Sequence, residues 1–352
     1  MESGKVTLTA GKTTAARMRF IDVARAVAIL SIIAGHLNSE AINSFVFTYN
    51  VPVFFLITGY FINEKTPLPQ YIKHKSRTLI VPYLITGLLI VILATVKAFF
   101  MGQNFRVIAL NWIYAVIYGS GSNWVDPFFI KGIGAIWFLW ATFFAGLFLK
   151  LLLKTKPVIR VLAVITLFAI GFLSSQVLFW FPLSIQAGLC ATLYVYFGYL
   201  FRRSEDALKK LGKEVIAVIL LFASAVWVYF ILHFDGFWFM ICDFGNGPYD
   251  IFASLCACLI IFAVSLFIDR YLNKISGLLA FIGRNSIFIL CVHILEQDLI
   301  IWDRLMNMII PDAGSALKLL IIFIGKLILS VGLGCLLSKI KPVRKIFGLK
   351  AD

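Results

Sequence analysis

Apolar and polar positions along the chain separate into long apolar runs broken by short basic clusters. Crossing a hydrocarbon core of about 30 Å takes about 17–25 apolar residues. Ten runs reach that length: 21–38, 44–62, 78–98, 135–153, 158–176, 183–201, 214–233, 250–268, 277–294 and 316–337. Two shorter apolar stretches, 105–119 and 299–310, are expected at the interface or as re-entrant pieces, and Asp303 and Arg304 interrupt the second. The pattern predicts an all-α polytopic membrane protein with about ten transmembrane helices. A basic tail is expected over 1–18, a membrane domain over 19–340 and a second basic tail over 341–352.

The placement of charge orients these spans. With the N-terminus inside, 26 of the 32 Lys and Arg residues fall on inward segments and adjoining helix ends. That asymmetry puts both termini in the cytoplasm. Asp235, Asp243, Asp250, Glu296, Asp298, Asp303 and Asp312 then face outward, so the outer side is comparatively acidic.

Composition agrees: 61% of the 352 residues are hydrophobic and 14% charged, with mean hydropathy +0.95. Soluble domains run near 45–50% apolar and about 25% charged. A formal charge of +15 could suggest nucleic acid, but its distribution among inter-helix clusters is topological, and no nucleic-acid partner is expected. The six cysteines form no CxxC pair and mostly sit inside apolar runs, so neither a metal site nor a disulfide framework is indicated. No cleavable signal is expected, because Asp22 and Arg25 interrupt the first apolar run.

Candidate chemistry concentrates in residues 19–61. The first span keeps Asp22, Arg25 and His36, and ionisable groups at bilayer depth usually line a site or a wet path. Arg25 and His36 are eleven residues apart, which places them on one helix face about 16 Å apart along the axis. Arg25 is a fixed cation near the inner end, and His36 is a titratable base near the outer end. The plainer alternative has Arg25 pairing with Asp22 and His36 capping a helix. Lys73 and Arg77, one turn apart beside Lys75, could grip a polyphosphate or could supply topological charge alone. Thr58-Gly59 allows another backbone to approach closely. Trp137 opens a span at the outer interface, where belt anchoring also suffices. In the run from Gly283, Arg284 lies at the inner end, while Ser286 and His293 share a helix face seven residues apart.

The order and spacing of these pieces resemble the membrane-bound acyltransferase-3 family over nearly the whole chain, and within it the sugar O-acetylase branch, similar to fucose 4-O-acetylases. The matching pieces are Arg19-Phe20-Ile21-Asp22-Val23-Ala24-Arg25 with His36, the stretch Pro52-Val53-Phe54-Phe55-Leu56-Ile57-Thr58-Gly59, Trp137-Phe138-Leu139, and Gly283 through His293. Thr58 stands where serine is common and Asn50 where some relatives have histidine. His74 and Arg77 align with the family's Arg-x-x-Arg, so Lys73 or Lys75 would stand in for the first arginine.

The resemblance implies an enzyme of the bacterial cytoplasmic membrane with no permanently bound cofactor. It would carry an acyl group, acetyl in this branch, from cytoplasmic acyl-CoA to a hydroxyl of a capsule, O-antigen or exopolysaccharide type of glycan or its lipid-linked precursor. His36 would be the general base or acyl relay. Arg25 would orient the donor, and Lys73, Lys75, Arg77 and Arg284 would hold its nucleotide end. Trp137, Ser286 and His293 would face the acceptor. A transporter or flippase of lipid-linked sugars is the competing expectation. It should show two matching halves, yet the charged first span has no counterpart near residue 180.

Overall fold

The computed structural model describes residues 18–126 and 128–348. The expected N-terminal tail lies outside them except for Met18, as do residues 349–352 of the expected C-terminal one. The described chain runs through α1 (Arg19–Gly35), α2 (Glu40–Val46), α3 (Asn50–Tyr60), α4 (Leu68–Lys75), a π-helical turn (Ser76–Ile80), α5 (Val81–Phe100) and α6 (Phe105–Tyr118). It continues with α7 (Trp137–Leu152), α8 (Pro157–Val177), α9 (Ile185–Leu208), α10 (Lys213–Leu232) and α11 (Pro248–Tyr271). The last elements are α12 (Asn273–Arg284), α13 (Ser286–Leu299), α14 (Trp302–Ile309), α15 (Ser315–Leu337) and α16 (Lys341–Ile346). The fold is all-helical, as expected for chain that must satisfy its backbone hydrogen bonds inside lipid.

Among the described residues, eight helical segments are long and apolar enough to cross a membrane, and α12 with α13 forms a ninth, bent one. The 17-residue α1 supplies the tenth expected segment. The two short apolar stretches form α6 and α14, of 14 and 8 residues, too short to cross. The segment after residue 340 starts as α16, and Phe347 stacks on Phe288 at 4.7 Å.

Local chemistry explains two irregular places. Pro82 has no N–H to give to the carbonyl of Thr78, and the π-helical turn just before α5 absorbs the missing bond. The run expected as one straight span over 277–294 is instead two helices bent by 66° at Asn285. The Asn285 side chain donates to the Phe281 carbonyl at 2.9 Å, satisfying one acceptor at the break. Arg284 and His293 therefore stand on different helices.

α1 lies at the centre, packed by α3, α11, α12, α13 and α15, while α9 gathers α3, α7 and α8. Small residues set these approaches, as in other membrane bundles. A Cβ on Gly59 would sit 1.7 Å from the Val195 carbonyl oxygen, and one on Gly198 would sit 1.9 Å from that of Leu56. α3 and α9 thus touch backbone to backbone. The outer faces of α8 and α10 present Leu162, Ile165, Val218 and Leu221 outward, as lipid contact requires.

Candidate active site

The two ends of α1 carry the polar groups; "inner" and "outer" follow the Lys and Arg asymmetry. The inner end opens on a pocket of about 1060 Å³ between the start of α1, the end of α3, α4 and the end of α9. Arg25 lines it, with Nη1 3.0 Å from Asp22 Oδ1 and its guanidinium 5.5 Å over the Phe61 ring. Asp22 is buried where α12 crosses, since a Cβ on Gly283 would lie 1.8 Å from the Asp22 carbonyl oxygen. The ion pair with Asp22 and a guanidinium lining the pocket, alternatives in the sequence, therefore coexist at Arg25. Lys75 also lines the pocket, with Nζ 5.9 Å over the Tyr71 ring.

Lys73, Arg77 and Arg284 are exposed and are not among the pocket's lining residues. Two arginines outside the sequence expectations are: Arg202 and Arg203, on the last turns of α9. Each meets a tyrosine and a carboxylate, Arg202 with Tyr60 and Glu205, and Arg203 with Tyr199 and Glu64. The Tyr199 hydroxyl, donating at 2.5 Å, and the Arg203 guanidinium hold the Glu64 carboxyl below its ordinary range, so it is ionised at neutral pH.

At the outer end His36 caps α1, with Nδ1 2.8 Å from the Ile32 carbonyl oxygen. His293 reaches it from α13: Nε2 is 3.3 Å from His36 Nδ1, and the rings meet edge to face at 5.1 Å. Behind His293 stands Glu296, whose Oε2 is 3.2 Å from His293 Nδ1. Lys326 of α15 donates to Glu296 Oε1 at 3.2 Å, the Trp302 indole donates to the same oxygen, and Ser330 Oγ lies 3.5 Å from both Oε2 and His293 Nδ1. His293, Glu296, Lys326 and Ser330 are all buried.

One proton assignment satisfies these contacts together. Ionised Glu296 accepts from His293 Nδ1–H, so His293 Nε2 carries a lone pair. His36 Nδ1–H is then shared between that lone pair and the Ile32 carbonyl, and His36 Nε2 is left as an acceptor. A neutral imidazole with an open nitrogen, its other side held by a histidine and a carboxylate, has the form of an oriented general base.

Trp137 is buried at the start of α7, where a Cβ on Gly121 would lie 2.5 Å from its Cδ1. The turn preceding it reaches α13, where a Cβ on Gly134 would lie 3.4 Å from Ile294 Cδ1, so Trp137 is on the same side as the histidine pair. No hydrogen bond or ring contact among the described residues joins it to His36. Ser286 is the first residue of α13, about 10 Å along the axis from His293 at its middle. The structure thus gathers His36 with His293, and Arg25 with Lys75, while Ser286 joins neither group.

The family model for an acyltransferase domain matches residues 18–339, which spans both ends of α1. The chain belongs to the acyltransferase-3 family. No curated protein and no solved structure matched it. As an acyltransferase-3 protein with a polytopic helical fold, it is a membrane acyltransferase. Sequence reasoning missed Glu296, Lys326 and Ser330 in this acyltransferase, and with them Arg202 and Arg203. A lysine inside the apolar run 316–337 was a usable signal, since an ionisable group there needs a partner.

Proposed function

We propose that this acyltransferase moves an acyl group, acetyl in the branch it resembles, from acyl-CoA on the cytoplasmic side to a hydroxyl of an extracytoplasmic glycan or its lipid-linked precursor. The observation that carries this reading is the pairing of His36 with His293 and Glu296 at one end of α1, while a basic pocket opens at its other end. Arg25 and Lys75 in that pocket suit the donor's phosphates. The two ends are separated by about 16 Å of helix. An extended pantetheine arm of about the length of five extended residues bridges that gap, so CoA itself stays inside.

His36 Nε2 takes the proton as the acceptor oxygen attacks the thioester carbonyl. The resulting imidazolium keeps its Nδ1–H directed at His293, and Glu296 supplies the negative charge behind it. When the tetrahedral adduct collapses, the C–S bond breaks and the proton passes from His36 to the departing thiolate. The products are the ester and the CoA thiol. Trp137, on the same side, is buried and packs into the wall behind the acceptor end. The transporter alternative draws no support from the family.

The test uses membranes supplied with labelled acetyl-CoA and the surface glycan of the producing cell. His36→Ala is expected to lower transfer by about 10²–10⁴-fold, the range of general base catalysis, with unchanged thermal unfolding. Transfer at the wild-type rate removes the proposed base.

A further inference from the structure

At the inner pocket two adjacent arginines make the same arrangement twice. Arg202 Nη1 donates to Glu205 Oε2 at 2.6 Å and to Tyr60 Oη at 3.1 Å, and Tyr60 Oη donates to the other oxygen of Glu205. Arg203 Nη1 donates to Tyr199 Oη at 2.8 Å and to Glu64 Oε1, and Tyr199 Oη donates to that same oxygen. Each carboxylate therefore receives a guanidinium N–H and a phenol O–H from neighbouring directions. A phosphate oxygen accepts that same pair of donors.

A neighbouring arginine is held differently. Arg160 gives three of its contacts to the carbonyls of Leu152, Leu153 and Thr155, which cannot leave, and its Nη1 donates to Tyr199 Oη at 3.4 Å. Arg202 and Arg203 are held by side-chain carboxylates at the protein surface, with the arginine side chains 46% and 59% exposed. Ion pairs in that setting contribute little and exchange readily. The backbone under Glu64 is fixed independently, because Lys150 donates to the carbonyls of Asn63 at 2.6 Å and Glu64 at 2.8 Å. The carboxylate can swing away while the loop stays in place.

We propose that Arg202, Arg203, Tyr60 and Tyr199 form a clamp for phosphate groups, in which Glu64 and Glu205 hold the phosphate positions until a ligand displaces them. The clamp rests on the acyl-CoA reading above, and its ligand is the bisphosphorylated adenosine half of the donor. Arg25 and Lys75, across the same pocket, add to the attraction. The headgroup phosphate of an anionic lipid shares this chemistry, so the experiment separates the two sources.

Purified protein in a neutral maltoside detergent is titrated calorimetrically with CoA and with adenosine 3′,5′-bisphosphate. The double variant Arg202→Gln/Arg203→Gln is expected to bind both at least about 10-fold more weakly, as expected when charge-assisted bonds to phosphate are lost. Glu64→Gln/Glu205→Gln is expected to bind both more tightly, by about 3–10-fold, because the competing charge is gone while the side-chain volume stays. Matching thermal unfolding of both variants with wild type confirms that folding is intact. Wild-type affinity for CoA in the arginine variant overturns the clamp and leaves acyl-CoA as donor. Failure of the wild-type protein to bind CoA overturns the clamp and the donor together. In the lipid arm, the proteins are placed in discs of phosphatidylglycerol or phosphatidylcholine. Loss of phosphatidylglycerol retention in the arginine variant, with nucleotide affinity unchanged, assigns the clamp to lipid and overturns it as a donor site.

Discussion

At the inner end of α1 Arg25, Arg202 and Arg203 line a pocket, and the two on α9 hold partners they can exchange; at the outer end the charged groups are buried and hold partners they cannot. Arg203 and Glu64 meet with both side chains more than two-fifths exposed, whereas Glu296 and Lys326 meet with both nearly sealed from solvent. Burying an ion pair costs solvation that is recovered only when further hydrogen bonds surround it. Glu296 receives those from His293, Ser330 and the Trp302 indole. Removing one partner of such a pair typically costs about 3–5 kcal/mol, so the network behind His293 keeps one geometry. A binding site needs groups that let go, and a proton relay needs groups that do not. One helix carries both because its two ends meet different packing.

Substitutions at the two ends should then split the kinetic constants, with the larger effect at the outer end. His293→Gln puts an amide of similar reach in place of the imidazole but cannot hold the imidazolium of His36 through a histidine–carboxylate chain. A hydrogen bond to a charged group is worth about 1.5–3 kcal/mol, which corresponds to about 10–100-fold in rate. The expected result is a fall of that size in kcat with the KM for acyl-CoA unchanged, measured in steady-state transfer assays. A rise in donor KM with kcat intact would make His293 part of the donor site and dissolve the contrast. At the inner end Lys75→Ala is expected to raise the donor KM by about 10-fold, the worth of one charge-assisted contact, and to leave kcat in place. A loss confined to kcat would carry chemistry into the basic pocket.

The sequence revealed the two poles of this arrangement more readily than their supports. Asp22, Arg25 and His36 stand out because an apolar run keeps ionisable groups only for a reason, and their spacing follows from helix pitch alone. Glu296 and Lys326 are 30 residues apart on different helices. Their pairing depends on α15 approaching α13 closely, where a Cβ on Gly334 would meet the Ile289 backbone at 2.8 Å. Periodicity cannot supply that contact. The break at Asn285 was hidden for a related reason: Gly283 through Ser286 is a short polar interruption that reads equally as the interior of one span. Arg202 and Arg203 look in sequence like Lys209 and Lys210, all four counted as inward topological charge. Only the approach of Tyr60 and Tyr199 distinguishes them.

The smallest expected effect tests where the resemblance and the geometry part. By alignment, Arg77 would hold the donor's nucleotide with help from Lys73 or Lys75, and Arg284 would assist from the later helix. The structure puts Arg77 on the π-helical turn, exposed and outside the pocket's lining, where a Cβ on Gly348 would lie 3.0 Å from Arg77 Cβ, and leaves Lys73 and Arg284 on exposed helix faces. A charge outside the pocket acts on a bound phosphate only through screened solvent, with a decay length of about 8 Å at physiological ionic strength. Alanine at Lys73, Arg77 or Arg284 is therefore expected to shift donor affinity by less than about 2-fold at physiological salt, and somewhat more at low salt, where the screening length grows. Titration of CoA at two ionic strengths checks both halves of that expectation. If Arg77→Ala weakens CoA more than Lys75→Ala does, independent of salt, the phosphates sit on the outside of α4 and the π-helical turn. The pocket beneath Arg25 is then an entry for the arm alone.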